Sequence, residues 1–307
     1  MYTTSLPPAN KIVKPTPLKL AVNLNIYYNM SNMETLLRKI IDAESSYEPG
    51  PETCMTLGTS GLVAFTGQIA GTGKDTIKDG VAKALGGEVF ASLTTRPKRE
   101  SDNGDYNYVG HEELLDMIAK RRLAEFTAIR GRYVYATPSA SIEEIAGRGK
   151  IPCKDIELVG LQKLRHAAGA SGAIKAIYPL PDLAVFGDGT DRTGWEAMLT
   201  DRDYNGLRFA KVLKGELGPD KANDLRQRLQ VARGQLDQVL SMGLSGQEGT
   251  FFPVNKYGNP QVAVDEAVEQ LTMNEEDPIT RFSYDINVKT QLLHLQKLVD
   301  NVFTEAT

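Results

Sequence analysis

Short apolar runs alternate with amphipathic segments through the middle of the chain. The run Leu62-Val-Ala-Phe65 is followed by a Gly-rich turn, and the apolar spacing after the turn predicts a helix from about Lys74 to Leu85. Further apolar runs predict strands at residues 88–93, 133–135, 151–156, 173–178 and 251–254. Helical spacing predicts helices at residues 112–122, 141–146, 161–167 and 261–271, whereas residues 94–110 are polar and predict a loop. Strands that alternate with helices indicate an α/β fold with a parallel sheet.

Both ends of the chain depart from this pattern. Four prolines within the first twenty residues disfavour regular structure, and a helical patch follows at residues 33–43 before Pro-Gly-Pro at 49–51. We interpret residues 1–57 as an extension, either a separate arm or a helix that docks on the main domain. Residues 287–303 carry an apolar stripe at helical spacing, which packs on its own domain or forms a homo-oligomer interface. The predicted units are residues 1–57, 58–273 and 274–307.

Composition narrows the function classes. The net charge of −4 argues against a dedicated nucleic-acid binder, which needs a basic excess. No apolar run of 18 residues predicts a membrane span, and the N-terminus has no secretory pattern. Cys54 and Cys153 make no disulfide framework, and the three histidines add no metal-ligand spacing. We therefore expect a reduced cytoplasmic protein.

The turn GQIAGTGKDT, residues 67–76, nearly spells a phosphate-binding loop. Its glycines would let backbone N–H groups close around phosphate oxygens, and Lys74 would neutralise phosphoryl charge. Two features depart from the usual P-loop. Five residues instead of four separate the first Gly from the Gly-Lys pair. Asp75 stands where Ser or Thr normally holds Mg²⁺. Taken alone, the turn is either a nucleotide site or a chance Gly-rich surface turn.

The next segments resemble the guanylate kinase family. Residues 92–109, SLTTRPKRESDNGDYNYV, are similar to the signature S-x-T-T-R-x-P-R-x-G-E…G-x-D-Y-x-F-V, although two residues are missing between Arg99 and Tyr106. AEFTAIRGRYVYATP (124–138) is similar to E-W-x-x-x-x-G-x-Y-Y-G-[ST], and CKDIELVG (153–160) to L-D-I-D-x-Q-G. YPLPD (178–182), LRQRLQVARGQL (225–236) and FFPVN (251–255) continue the similarity in order, so that it spans about residues 60–272. The resemblance implies a three-layer P-loop α/β fold with a central parallel sheet, a small mixed monophosphate-binding subdomain (94–140) and a helical lid (about 188–222).

The resemblance also implies a monophosphate site. The residues that would grip the GMP phosphate are Arg96, Arg99, Tyr106 and Tyr135. The residues that would read guanine are Ser92, Glu125, Thr137 and Glu157. A carboxylate can accept from both N1–H and N2–H₂ of guanine, whereas adenine would leave it facing an acceptor.

On the triphosphate side the resemblance implies ATP and Mg²⁺. The ATP-binding residues would be Gly71, Thr72, Gly73, Lys74, Asp75, Thr76 and Asn255, with Asn255 against the adenine. Thr76, Asp75 and Asp155 would hold Mg²⁺, and Asp155 would also order the phosphates. Lys74, Asp155, Arg202 and Arg228 would be the catalytic residues, with the two arginines closing as a lid over the transferring phosphoryl group. Asp75 either repels the phosphates or helps to hold the metal.

Three functions fit these residues. The leading hypothesis is a nucleoside monophosphate kinase that phosphorylates GMP or dGMP with ATP. The altered pocket, the enlarged lid and the extensions favour a second one, a kinase for a modified deoxynucleotide or a modified base in DNA. The third is a catalytically silent domain that binds proteins, against which the retained Lys74, Gly71 and Gly73 argue.

Overall fold

The computed structural model describes most of residues 32–181 and two segments near the C-terminal end of the chain. The described residues are 32–67, 73–100, 102, 104–129, 131–169, 173–181, 234, 238–239, 249–256, 259–272, 288 and 292–293. The predicted lid and most of the C-terminal extension therefore lie outside the described residues.

Helices and strands alternate along the described chain. The helices are α1 (residues 32–44), α2 (Pro51–Ser60), α3 (Lys74–Ala84), α4 (His111–Ala119), α5 (Ser139–Gly147), α6 (Leu158–Ala168) and α7 (Pro260–Thr272). The first strands are β1 (Leu62–Phe65), β2 (Glu88–Val89), β3 (Ser92–Thr94), β4 (Tyr106–Tyr108), β5 (Leu123–Ile129) and β6 (Tyr133–Pro138). The remaining strands are β7 (Pro152–Asp155), β8 (Ile174–Ile177), β9 (Leu180–Pro181), β10 (Thr250–Phe251) and β11 (Val254–Asn255).

The main sheet is parallel, with the strand order β10-β8-β1-β7-β2. All four residues of β1 are buried, as expected of a strand covered on both faces. Val63 and Phe65 pack with Ile77 and Val81 of α3 and with Val264 of α7. This cluster fixes α3 directly beyond the carboxyl end of β1. An α/β fold with a central parallel sheet is thereby confirmed.

A second, smaller sheet has the order β4-β3-β6-β5 and mixes parallel and antiparallel pairs. Its apolar face packs on α4 and α1, and Ile40 of α1 is completely buried among residues such as Leu93, Leu114 and Phe126. Ile40 thus belongs to the core beneath this sheet.

A lysine joins α1, the mixed sheet and α6. The Nζ of Lys163 donates to Glu44 Oε1 at 2.7 Å and to the Phe126 carbonyl at 2.6 Å, and the Ala128 N–H donates to Glu44 Oε2 at 3.1 Å. The Tyr47 hydroxyl also donates to the Leu123 carbonyl at 2.6 Å. These bonds hold residues 44–47 against β5.

The structure differs locally from the sequence prediction. The predicted strand 88–93 is two short strands in different sheets, and the predicted loop 94–110 contains β4. The sequence does not predict helix α2, because Pro-Gly-Pro at residues 49–51 is typical of a break in regular secondary structure. Pro51 in fact occupies the start of the helix, where its missing N–H is tolerated. No helix in the described part of the chain is long and apolar enough to cross a membrane. The three predicted unit boundaries stay predictions.

Candidate active site

A cluster of two lysines and two aspartates lies where β1 and β7 end. The strands pair Phe65 with Asp155, so the Asp155 side chain emerges at the carboxyl edge of the sheet beside the start of α3. Lys74 Nζ lies 2.6 Å from Asp155 Oδ2, and the buried Lys78 reaches the same oxygen at 3.3 Å. Burial acts to lower the pKa of Lys74, but the charges and hydrogen bonds of Asp155 and Asp75 together outweigh it and the pKa is raised. Lys74 is therefore a fixed cation at the edge of the sheet.

Asp75 pairs with this cluster. Its Oδ1 lies 3.2 Å from Lys74 Nζ and 3.8 Å from Lys78 Nζ, although its side chain is largely exposed. Burial acts to raise the pKa of Asp75, and the two ammonium groups more than compensate, so that the pKa is lowered. The two lysines offset the like charge of Asp75 and Asp155.

The residues fit Mg²⁺ in part. Among the described residues, Asp155 Oδ1 and Thr66 Oγ1 are buried without a hydrogen-bond partner at the ends of the neighbouring strands, and both can accept from a metal-bound water. Within the described ranges, no group of three or more His, Cys, Asp or Glu side chains is arranged to hold a metal ion. Asp155 would therefore hold Mg²⁺ through few protein ligands, as is common for this ion when phosphates supply the rest.

Gly73 begins α3 in the left-handed conformation, with φ of 76°. A Cβ at this position would lie 2.1 Å from Asn255 Nδ2, so only glycine lets the end of β11 approach the start of α3. Asn255 is thereby brought to the helix N-terminus that follows the Gly-rich turn.

The mixed sheet and β7 bring the polar groups of a second region together. Glu125 is 5% exposed, and the Thr137 hydroxyl donates to its Oε1 across the paired strands β5 and β6. Burial raises the pKa of Glu125, although the Thr137 hydrogen bond and the charge of Lys154 act in the opposite direction. Lys154 Nζ donates to Ser92 Oγ at 2.5 Å.

A buried arginine lies farther along the same sheet. Arg96 donates through both guanidinium nitrogens to Asp102, at 2.7 and 2.6 Å. Its guanidinium stacks over Tyr106, 4.5 Å from the ring centroid, and Tyr106 meets Tyr135 edge to face at 5.8 Å. Hydrogen bonds from Arg96 and from Tyr108 hold the pKa of Asp102 well below its usual range. Arg96 is thus a cation that Asp102 holds in place and that stacks on the ring of Tyr106.

A small cleft of about 130 Å³ connects these regions. Lys78 and Asp155 line it on the side of the parallel sheet, and Ser92 and Tyr106 line it on the side of the mixed sheet. The surface of this cleft therefore includes residues from both the parallel-sheet side and the mixed-sheet side of the site.

The central part of the chain matches a known protein family. Residues 65–178, less than half of the chain, match the family model described as guanylate kinase. This segment belongs to the guanylate kinase family.

Individual guanylate kinases are similar over part of their length. The guanylate kinase of Caulobacter vibrioides is 30% identical over 127 residues, which cover 40% of this chain and 59% of that protein. The one of Prochlorococcus marinus subsp. pastoris is 31% identical over 121 residues, which cover 38% of this chain and 65% of that protein. The chain spans about three fifths of the length of the curated relatives it matches.

A solved guanylate kinase from Anaplasma phagocytophilum aligns with 57% of this chain and 85% of its own, at 16% identity and a TM-score of 0.33. Because that score is low, the fold assignment stands on the sheet order given above.

The guanylate kinase resemblance implies a set of site residues, and the structure brings some of them together but not others. Those that lie in the two regions are Lys74, Asp75, Asp155, Gly73, Asn255, Ser92, Arg96, Tyr106, Glu125, Tyr135 and Thr137. Glu157 is the N-cap residue of α6, two residues beyond Asp155, where β7 ends. Arg99 is exposed, and only its backbone N–H donates to Asp102; Thr76 is exposed on α3. Gly71, Thr72, Arg202 and Arg228 lie outside the described residues.

Three residues of the site were missed by sequence reasoning or left undecided. Lys78 follows Lys74 by four residues, a helical spacing that places both on one face and could have revealed it. The family signature has a Glu in the loop after Arg99, which is two residues shorter here and offers Glu100 or Asp102 in its place, and the structure brings Asp102 to Arg96. Lys154 stands where the family pattern L-D-I-D has Leu, a departure visible in the sequence.

Proposed function

We propose that the protein transfers the γ-phosphoryl group of ATP to GMP or dGMP. The observation that carries the proposal is the buried Glu125 carboxylate, held by Thr137 on the same sheet as the Arg96 cation. A carboxylate this deeply buried, with one oxygen left for a ligand, is suited to a partner with two adjacent N–H donors. Guanine offers that edge, and adenine does not.

The monophosphate would bind at the other end of the mixed sheet. Arg96 would offer guanidinium donors to the phosphate from its position above Tyr106, while Asp102 keeps the guanidinium in place. Tyr106 and Tyr135 would add hydroxyl groups, and Arg99 is exposed at the neighbouring loop. A fixed guanidinium loses little rotamer freedom on binding, so that the contact is strong.

Lys74, Lys78 and Asp155 would order the ATP phosphates and the acceptor. The acceptor phosphate supplies the attacking oxygen, so the protein needs only to align the two nucleotides and to neutralise charge. Lys74 is the cation at the start of α3, where the helix dipole also favours an anion. Asp155 would hold Mg²⁺, and the ion would supply further positive charge to the phosphate groups.

A coupled assay for ADP release tests the proposal. The full chain is incubated with ATP, Mg²⁺ and one of GMP, dGMP, AMP, dTMP or dCMP, and we expect turnover confined to the two guanine nucleotides. Turnover with AMP or with a pyrimidine nucleotide would contradict the base assignment. Binding of GMP without any turnover would overturn the kinase and favour the silent binding domain instead.

A further inference from the structure

Lys154 is a buried cation that the proposed reaction does not use. It lies in β7 near the middle of the parallel sheet, and only 2% of the residue is exposed. Among the described residues its Nζ forms one hydrogen bond, to Ser92 Oγ, and no ion pair; its ammonium also lies 5.0 Å from the centroid of the Phe90 ring. Burying a charge without a paired carboxylate is costly, so the position calls for a reason beyond packing.

The bond to Lys154 decides what the Ser92 hydroxyl can do. An ammonium group has three donors and no acceptor, so Ser92 must accept from Lys154 and has its own proton free for another partner. The Ser92 backbone N–H is already used by the Asp105 carbonyl at 3.0 Å. Since Ser92 lines the cleft between the two halves of the site, its O–H can serve a ligand there.

We propose that Lys154 is a positioning residue for base specificity, because it holds the Ser92 hydroxyl as an obligatory donor and thereby selects a base with an oxygen acceptor. The inference rests on the proposed function, and it names the edge of the base that is read. A purine with O6 satisfies the hydroxyl. A purine with an amino group or only C–H at that position leaves the hydroxyl unsatisfied and is rejected.

Calorimetric binding to the full chain tests the inference without requiring turnover. The probes are GMP and the 5′-monophosphate of 2-aminopurine riboside, which keeps the 2-amino group and lacks O6 and the N1–H. The absolute preference therefore includes the contact with Glu125, and the change in preference caused by a substitution at Lys154 reports on the reading of O6. We expect Lys154→Met to reduce the preference for GMP roughly tenfold to a hundredfold, the range for one hydrogen bond assisted by a charge. Lys175→Met, on strand β8 of the same sheet, is the matched control and should leave the preference unchanged.

Two further measurements separate positioning from structure. In the background of Ser92→Ala, Lys154→Met should have no further effect on the preference, because its action passes through Ser92. Ser92→Ala alone should lower the preference by a similar factor, so that the test does not depend on the folding of Lys154→Met.

The outcomes distinguish the two proposals. If the unmodified protein binds GMP but does not turn it over, the kinase proposal is wrong. The binding experiment with Lys154→Met then still decides the role of Lys154. A preference that is unchanged by Lys154→Met, or that Lys154→Met still changes in the background of Ser92→Ala, overturns the role of Lys154 alone. An unmodified protein that binds neither probe overturns both proposals.

Discussion

Replacing Glu125 with Gln tests the base-reading group directly. The change keeps the shape of the side chain and removes its charge, and the Thr137 hydroxyl can still donate to the remaining Oε1. The second oxygen, Oε2, lies where a Cβ on Gly160 would come within 2.9 Å, so the site is closely packed and a bulkier replacement would confound the result. The amide nitrogen takes the place of an acceptor and would face the N–H donors of guanine.

The magnitude follows from the hydrogen bonds that the amide cannot make. A hydrogen bond to a charged group contributes about 1.5–3 kcal/mol, and each 1.4 kcal/mol is tenfold in affinity. Loss of one such bond should raise the Kd for GMP roughly tenfold to a hundredfold. We expect kcat/KM for GMP to fall by a similar factor.

The assay is isothermal titration of the full chain with GMP, followed by the ADP-release assay on the same samples. Glu143→Gln is a suitable control, because Glu143 also accepts a threonine hydrogen bond, from Thr53 at 2.9 Å between α5 and α2. That variant should bind GMP as the unmodified protein does. If Glu125→Gln binds GMP within twofold of the unmodified protein, Glu125 does not read the base.

Three further predictions concern catalysis, packing and pH. Lys74→Ala should reduce turnover at least a hundredfold in the ADP-release assay while GMP binding changes little, because Lys74 lies on the triphosphate side; retained turnover would exclude the phosphate-loop assignment. Ile40→Ala should lower the free energy of unfolding by about 3 kcal/mol in urea denaturation, whereas the exposed Ile41→Ala should cost less than about 1 kcal/mol; equal costs would mean that α1 does not pack as described. Lys154 has its pKa lowered from 10.5 to about 8, so the unfolded chain binds more protons between these values and stability should rise with pH there. The gain, up to about 3 kcal/mol, should be absent from urea denaturation of Lys154→Met, and a gain shared by both proteins would refute the assignment.

The fold class could be predicted because its signal is local. Apolar runs such as 62–65 and 174–177 stand between amphipathic helices, and the period alone indicates a parallel α/β sheet. The split at residues 90–91 could not be predicted in the same way. The run 88–93 is continuous in sequence, and only pairing with β7 on one side and with β6 on the other assigns its halves to different sheets.

The candidate site could be predicted where a motif carries it and not where distant segments meet. Ser92, Arg96 and Glu125 follow from the family resemblance, because each stands at a fixed place in a colinear pattern. The only sign that Lys154 is buried is the Leu that the family pattern has at its position, since a lysine in a short strand otherwise suggests an exposed side chain. Its contact with Ser92 joins residues 62 positions apart and needs the tertiary fold. The same reason applies to Lys163, which meets Glu44 across 119 positions.

The close approach of Gly73 and Asn255 has a consequence for how the sequence can vary. A side chain at position 73 would collide with the amide of Asn255 and would also strain the left-handed backbone. In a library randomised at both positions and selected for growth, survivors should keep glycine at 73 almost without exception. Position 255 should accept smaller residues, because a shorter side chain there relieves the collision from its own side. The two positions lie together in space and should differ sharply in the substitutions they tolerate, although 182 positions separate them in the sequence.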